Sequence, residues 1–255
     1  FDWIVFHRPT TQDAADIARQ AGVDLSKPVI GLLTNVAWDA QLHYPANAFP
    51  DMLEWLVQTC EYFARRPDLQ LLIRVHPAEI SGFPPSRQPI LAELRKRIPR
   101  LASNIIVVPP ESGMSTYALM SLCNAAIIYG TKMGVELTSF GLPVIVAGEA
   151  WIRNKGLTHD ASSPEEYFSI LERLPFAERL GPAQLARARR YAYHFFFNRM
   201  IPLPFIEPKA GYPIYRLKLD TLQHLLPGGS ERLDTICDGI LNRGPFVLRP
   251  QALAP

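Results

Sequence analysis

The sequence predicts an α/β chain, an open and doubly wound parallel sheet with helices on both faces, followed by an extended Pro-rich and helical C-terminal tail. Three observations carry this expectation. Short apolar runs alternate with amphipathic stretches along the chain, and the connections between them are brief. The runs also lack the polar alternation of half-exposed strands, as expected of parallel strands covered on both sides. Right-handed β–α–β units follow from that order.

Asp2 to Pro9 reads as a tail entering from elsewhere, and Thr10 to Ala21 as a helix. An extended apolar stretch opens the chain at Phe1 rather than at a methionine, so a fragment of a longer protein is expected. Val29 to Thr34 is the first strand, bounded by Pro28 and Asn35; Leu69 to Val75, Asn104 to Val108, Ala125 to Tyr129 and Pro143 to Ala147 repeat its style. Between the first two, Asp51 and Glu54 match a capping box ahead of the stripe Met52, Leu53, Leu56, Val57, Cys60 and Phe63. Pro89 to Lys96, Ser115 to Leu122 and Lys132 to Phe140 read as further helices, the last closed by Gly141 where left-handed backbone is favoured. Ser163, Pro164 and Glu166 mark another helix start ahead of Tyr167, Ile170 and Leu171. A helix from Pro182 to about Phe197 ends in clustered aromatics that suit core packing better than a domain junction. Beyond Pro202, prolines at 204, 208, 213, 227, 245 and 250 cut the chain into an expected extended wrap plus two short helices. The expected organisation is an entering segment and helix over 1–28, a ligand-binding domain over 29–200 and the tail over 201–255.

Composition narrows the functional classes. The formal charge is +2, from 26 basic and 24 acidic residues scattered along the chain, so no single-sign field gathers nucleic acid. Cys60, Cys123 and Cys237 lie far apart in apolar surroundings, which suits buried thiols in a reducing compartment and a cytoplasmic location. No apolar run reaches the roughly 20 residues that span a bilayer.

In open parallel sheets, ligands bind beyond the carboxyl ends of the strands, so the residues there are the functional candidates. Thr34 and Asn35 follow the first strand, either facing a ligand or forming a packed surface loop with Trp38. After the second strand, His76 stands before Pro77, whose fixed φ stiffens the turn and presents an imidazole able to donate to a phosphate oxygen. Ser115 and Thr116 open the helix after the third strand, where hydroxyls either cap or join a helix N-terminus in holding phosphate. Gly130, Thr131, Lys132 and Gly134 form a tight turn resembling a phosphate cradle, although it is neither a P-loop nor the dinucleotide fingerprint. Glu136, one turn farther in, is placed to accept from two ribose hydroxyls, and Arg153 flanks the crevice after the fifth strand.

Taken together, His76-Pro77, Ser115-Thr116, the turn from Tyr129 to Glu136, Gly141-Leu142-Pro143-Val144-Ile145 and Gly156-Leu157-Thr158 resemble the capsule and surface-carbohydrate biosynthesis proteins related to Kdo transferases. The resemblance spans about Val29 to Leu174. It implies the Rossmann-like, carboxyl-terminal half of a B-type glycosyltransferase, which holds a nucleotide sugar linked to CMP, UDP or GDP. It also implies that His76 contacts the donor phosphate and has the catalytic role, that Ser115 and Thr116 contact phosphate or nucleotide, and that Glu136 holds ribose. The departure is Thr131-Lys132, where many such enzymes carry small residues. No cofactor and no metal are expected. A glycan or glycolipid acceptor would engage a missing amino-terminal domain, leaving room for peripheral association with the cytoplasmic membrane. Two alternatives remain open at this level: a sugar-nucleotide epimerase of the same architecture, and a non-catalytic interaction module retaining the fold.

Overall fold

The computed structural model describes residues 13–38, 48–81, 85–211 and 213–248. The expected tail Asp2 to Pro9, the start of the expected helix Thr10 to Ala21, and Pro250 lie outside them. The described residues up to Arg189 form one compact unit and those from Arg190 onward a second, the division falling inside a helix.

The first unit is built on a six-stranded sheet: β1 (Val29–Leu33), β2 (Gln70–Arg74), β3 (Ile105–Val108), β4 (Ala125–Ile128), β5 (Val144–Val146) and β6 (His159–Asp160). All neighbours run parallel in the order β3-β2-β1-β4-β5-β6. This is the doubly wound, Rossmann-like arrangement, and its direction of growth reverses between β1 and β4. Five strands lie inside the apolar runs that announce them, while β6, two polar residues long, has no such run.

The helices are α1 (Ala14–Ala21), α2 (Met52–Ala64), α3 (Ala78–Ser81), α4 (Ile90–Arg97), α5 (Thr116–Ser121), α6 (Met133–Ser139), α7 (Pro164–Leu171) and α8 (Pro182–Tyr193). Local chemistry sets their starts. The Asp51 carboxylate accepts the Glu54 N–H at 2.8 Å, but Glu54 spends its own carboxylate on Gln58 and Arg97 instead of reaching back, so only half of the capping box forms. At α7 the Ser163 hydroxyl accepts the Glu166 N–H at 3.3 Å, and the Glu166 carboxylate returns to the N–H of Ser162 at 2.8 Å. Gly141 ends α6 region with φ 83°, as its position predicts.

Strand alternation sends side chains to two cores. Ile30, Leu32, Leu71, Ile73, Ile127 and Ile145 pack on one face against Trp55, Leu56 and Phe63 of α2, Leu94 of α4, and Tyr167 and Leu171 of α7. On the other face the helices approach closely. A Cβ on Gly31 of β1 would stand 2.6 Å from Met120 Sδ of α5, and one on Gly134 of α6 would stand 2.6 Å from Ile128 Cδ1 of β4.

A polar knot lies within the first core. Trp55 Nε1–H donates to the Tyr167 hydroxyl at 3.1 Å, and the Thr59 hydroxyl donates to the Trp55 carbonyl at 2.7 Å. The remaining 2.8 Å contact is therefore Tyr167 O–H donating to Thr59 Oγ1, which leaves every donor of the three side chains engaged.

At the sheet edge, His159 of β6 stacks on Phe176 with ring centroids 4.6 Å apart. Burial, and then the Arg173 charge, hold its imidazole below the ordinary value of 6.5. The unfolded chain binds that proton more readily, so the contribution of this contact is complete above pH 6.5 and declines as pH falls below it. Unfolding midpoints in urea are expected to drop from pH 7 to pH 5.5, and His159→Phe is expected to remove part of that drop. An unchanged pH profile in His159→Phe would assign the drop to other groups.

Cys60 and Cys123 are buried, and burial pushes both thiols up to about 12, whereas Cys237 is exposed, contrary to expectation. Cys237 belongs to α9 (Glu231–Asn242), a helix of the second unit that buries only Gly239. The same unit holds a π-helical turn (His194–Asn198) and a 3-10 turn (Leu222–Leu225). Of the clustered aromatics there, Phe195 is buried, while Tyr193 and Phe197 are exposed and stack on each other at 5.2 Å, so they do not supply the core expected of them. The unit also contains an unanticipated antiparallel hairpin of β7 (Ile206–Pro208) and β8 (Tyr215–Leu217), with Glu207 paired to Arg216 and Lys218. Among the described residues, no helix is long and apolar enough to cross a membrane.

Candidate functional site

The reversal of strand order between β1 and β4 opens a crevice at their carboxyl ends, and four separate segments reach it. A small, partly enclosed pocket there is lined by Leu33 and Thr34 after β1, Arg74, His76 and Pro77 at the end of β2, Thr116 and Tyr117 at the start of α5, and Thr131 and Met133 after β4. The topology thus gathers residues that are far apart in the chain.

Backbone N–H groups hold several of these side chains. Thr34 is buried, and its Oγ1 accepts the His76 N–H at 3.1 Å, tying the end of β1 to the turn after β2. The His76 Nδ1 accepts the Ala78 N–H at 3.1 Å, which places the proton of the neutral ring on Nε2. Pro77 then leads into α3, where Glu79 is buried and its Oε1 accepts the Ile90 N–H at 2.9 Å. Burial pushes the Glu79 carboxyl above its ordinary range. On the other side of the crevice, Thr131 Oγ1 accepts the Met133 N–H at 3.3 Å and so starts α6.

The sequence candidates separate into groups. Thr34, His76, Thr116 and Thr131 line the pocket together. Asn35 is buried, and its Oδ1 accepts the Gly130 N–H at 3.3 Å, so this pair bridges β1 and β4 beneath the crevice. Ser115 caps α5, its hydroxyl accepting the Ala118 N–H at 3.5 Å. Glu136 stands one hydrogen bond behind the pocket, for its carboxylate accepts the hydroxyl of Tyr117, a pocket-lining residue. Burial, with that bond second, raises the Tyr117 hydroxyl above its ordinary range.

Two basic candidates stand apart from the pocket-lining residues. Lys132 is exposed. Arg153 is buried, and its guanidinium donates to the carbonyls of Val146, Gly148 and Ala161 at 3.4, 3.2 and 2.8 Å and to the Ser162 hydroxyl at 3.2 Å. It holds the loop after β5 to the residues just after β6. The helices at the crevice are also short, α5 with 6 residues and α6 with 7, so little macrodipole accumulates at their starts.

Arg74 and Tyr117 were not singled out from sequence. The signal for Arg74 was a lone charge at the end of the apolar run Leu71-Leu72-Ile73, a position where a cation has to find buried partners. Tyr117, beside the candidate pair Ser115-Thr116, carried no distinguishing spacing.

No protein-family model matches the sequence, and no curated protein does. Among solved structures, the chain is similar to the KpsC beta Kdo 2,4 transferase of Thermosulfurimonas dismutans, at 18% identity over 71% of this chain and 53% of that one, with a TM-score of 0.43. It is similar to a S. aureus MnaA–UDP co-structure at 12% identity, covering 73% and 43% of the two chains with a TM-score of 0.46. A third similarity is to a glycosyl transferase family 9 structure from Veillonella parvula DSM 2008, at 15% identity, 70% and 49% coverage and a TM-score of 0.37. The chain spans about half the length of these solved structures.

Proposed function

We propose that this chain is the nucleotide-sugar-binding half of a metal-independent B-type glycosyltransferase that serves capsule or other surface polysaccharide synthesis. One observation carries the reading: an imidazole and three threonine hydroxyls from four chain segments converge on one pocket at the point where strand order reverses. Backbone N–H groups hold Thr34, His76 and Thr131 before any ligand arrives, and the hydroxyls and the imidazole Nε2–H are able to donate, an arrangement suited to stabilising charge developing on a departing phosphate. Glu136, reached through Tyr117, is the carboxylate available to a ribose. Among the described residues, no three His, Cys, Asp or Glu side chains are grouped to hold a metal ion. In this reading the acceptor site and the general base belong to a further domain, so the chain binds donor and, by itself, transfers nothing.

Calorimetry with CMP, CDP, UDP and GDP is expected to reveal one preferred nucleotide. His76→Ala is expected to weaken it roughly 10- to 100-fold, the value of about 1.5–3 kcal/mol for a hydrogen bond to a charged group. Glu136→Ala is expected to weaken the nucleotide but not inorganic phosphate. Silence toward the whole panel would favour an interaction module, and release of an inverted sugar nucleotide would assign an epimerase.

A further inference from the structure

The pocket contains one buried cation that the functional reading has not used. Arg74 is the last residue of β2, paired with Leu33 of β1 on one side and Val108 of β3 on the other, and only 4% exposed. Its Nη1 donates to the Pro109 carbonyl at 2.5 Å and its Nη2 to the Ser112 carbonyl at 3.1 Å. Its Nε–H is buried with no hydrogen-bond partner. None of the ion pairs among the described residues involves it.

The contrast with Arg153 is instructive. Both guanidiniums are buried, but the terminal nitrogens of Arg153 are shared among three carbonyls and a hydroxyl, and none of its nitrogens is left orphaned. Arg74 has two carbonyls and an orphaned donor, at a position that lines the pocket. A buried charge without a counter-charge is costly, and groups perturbed in this way cluster at functional sites. Burial alone lowers the Arg74 guanidinium below its ordinary value, with no carboxylate acting in the opposite direction.

The neighbouring side chains indicate which class of anion would suit the pocket. His76, Thr34, Thr116 and Thr131 come from four chain segments to line the same space, and each carries a group able to donate. Donors arranged in this way suit an anion with many acceptor oxygens better than a planar carboxylate. We propose that Arg74 is the phosphate-binding cation of this pocket, its Nε–H meeting a phosphate oxygen while its terminal nitrogens stay on the loop after β3. This inference rests on the pocket taking a phosphate, as the functional reading requires, but not on the identity of the base or sugar.

The test uses the full chain and inorganic pyrophosphate, with sodium chloride at matched ionic strength as control and succinate as a carboxylate probe. Pyrophosphate is expected to raise the wild-type melting temperature above the chloride control, and succinate is not. Arg74→Lys keeps a charge but loses the forked geometry, and is expected to weaken pyrophosphate at least tenfold by calorimetry. Arg74→Met is expected to abolish the protection. Should Arg74→Met fail to fold, Arg74→Lys and the wild-type comparison still decide. Equal pyrophosphate affinity in wild type and Arg74→Lys would overturn the inference, as would wild-type protection no greater than chloride gives. Nucleotide binding that is equal in wild type and Arg74→Lys would overturn it while leaving the proposed function intact. Pyrophosphate binding that depends on Arg74, without affinity for any nucleotide, would uphold the inference and remove the proposed function.

Discussion

Arg153→Met is expected to destabilise the first unit by about 3 kcal/mol or more, the combined cost of leaving several buried acceptors without partners. The arginine supplies donors to Gly148 and Ala161 that no solvent replaces, because it is only 5% exposed. The Val146 carbonyl suffers less, since it also accepts the Ala161 N–H at 3.0 Å. Urea unfolding at neutral pH measures the loss, and pyrophosphate affinity below the transition is expected to stay within a factor of about two, well short of a lost hydrogen bond. A variant with unchanged stability and impaired pyrophosphate binding would return Arg153 to the crevice.

The second large effect concerns the polar knot between α2 and α7. Trp55→Ala is expected to cost about 3–5 kcal/mol, because it empties a fully buried indole volume and removes the donor to Tyr167. Tyr167→Phe retains the packing and removes one oxygen, leaving the Trp55 N–H without its acceptor, for which about 1–3 kcal/mol is expected. The double variant is expected to cost less than the sum, since both substitutions break the same hydrogen bond. Denaturant midpoints for the four proteins check this, and strict additivity would show that the two side chains act independently.

Five strands were legible because strands buried on both faces must be apolar throughout, as Val29 to Leu33 is. β6 was not legible, for His159 and Asp160 join the sheet through backbone bonds rather than through an apolar face. The histidine was nominated from its place at a strand end, and the hydroxyls of Thr34, Thr116 and Thr131 from theirs, and all four residues line the pocket. The basic candidates Lys132 and Arg153 do not join the pocket-lining residues, for one reason. Proximity along the chain to a crevice does not say which way a long side chain turns, and Arg153 turns into the loop while Lys132 turns to solvent. Arg74 was masked by its apolar neighbours, which conceal how few partners a cation finds in the interior of a sheet.

The bond between Asn35 and Gly130 joins residues 95 positions apart. Closing so long a loop is entropically slow, and no local segment can pre-form what depends on it. Ligand affinity should therefore be gained late in refolding, after most helical signal has returned.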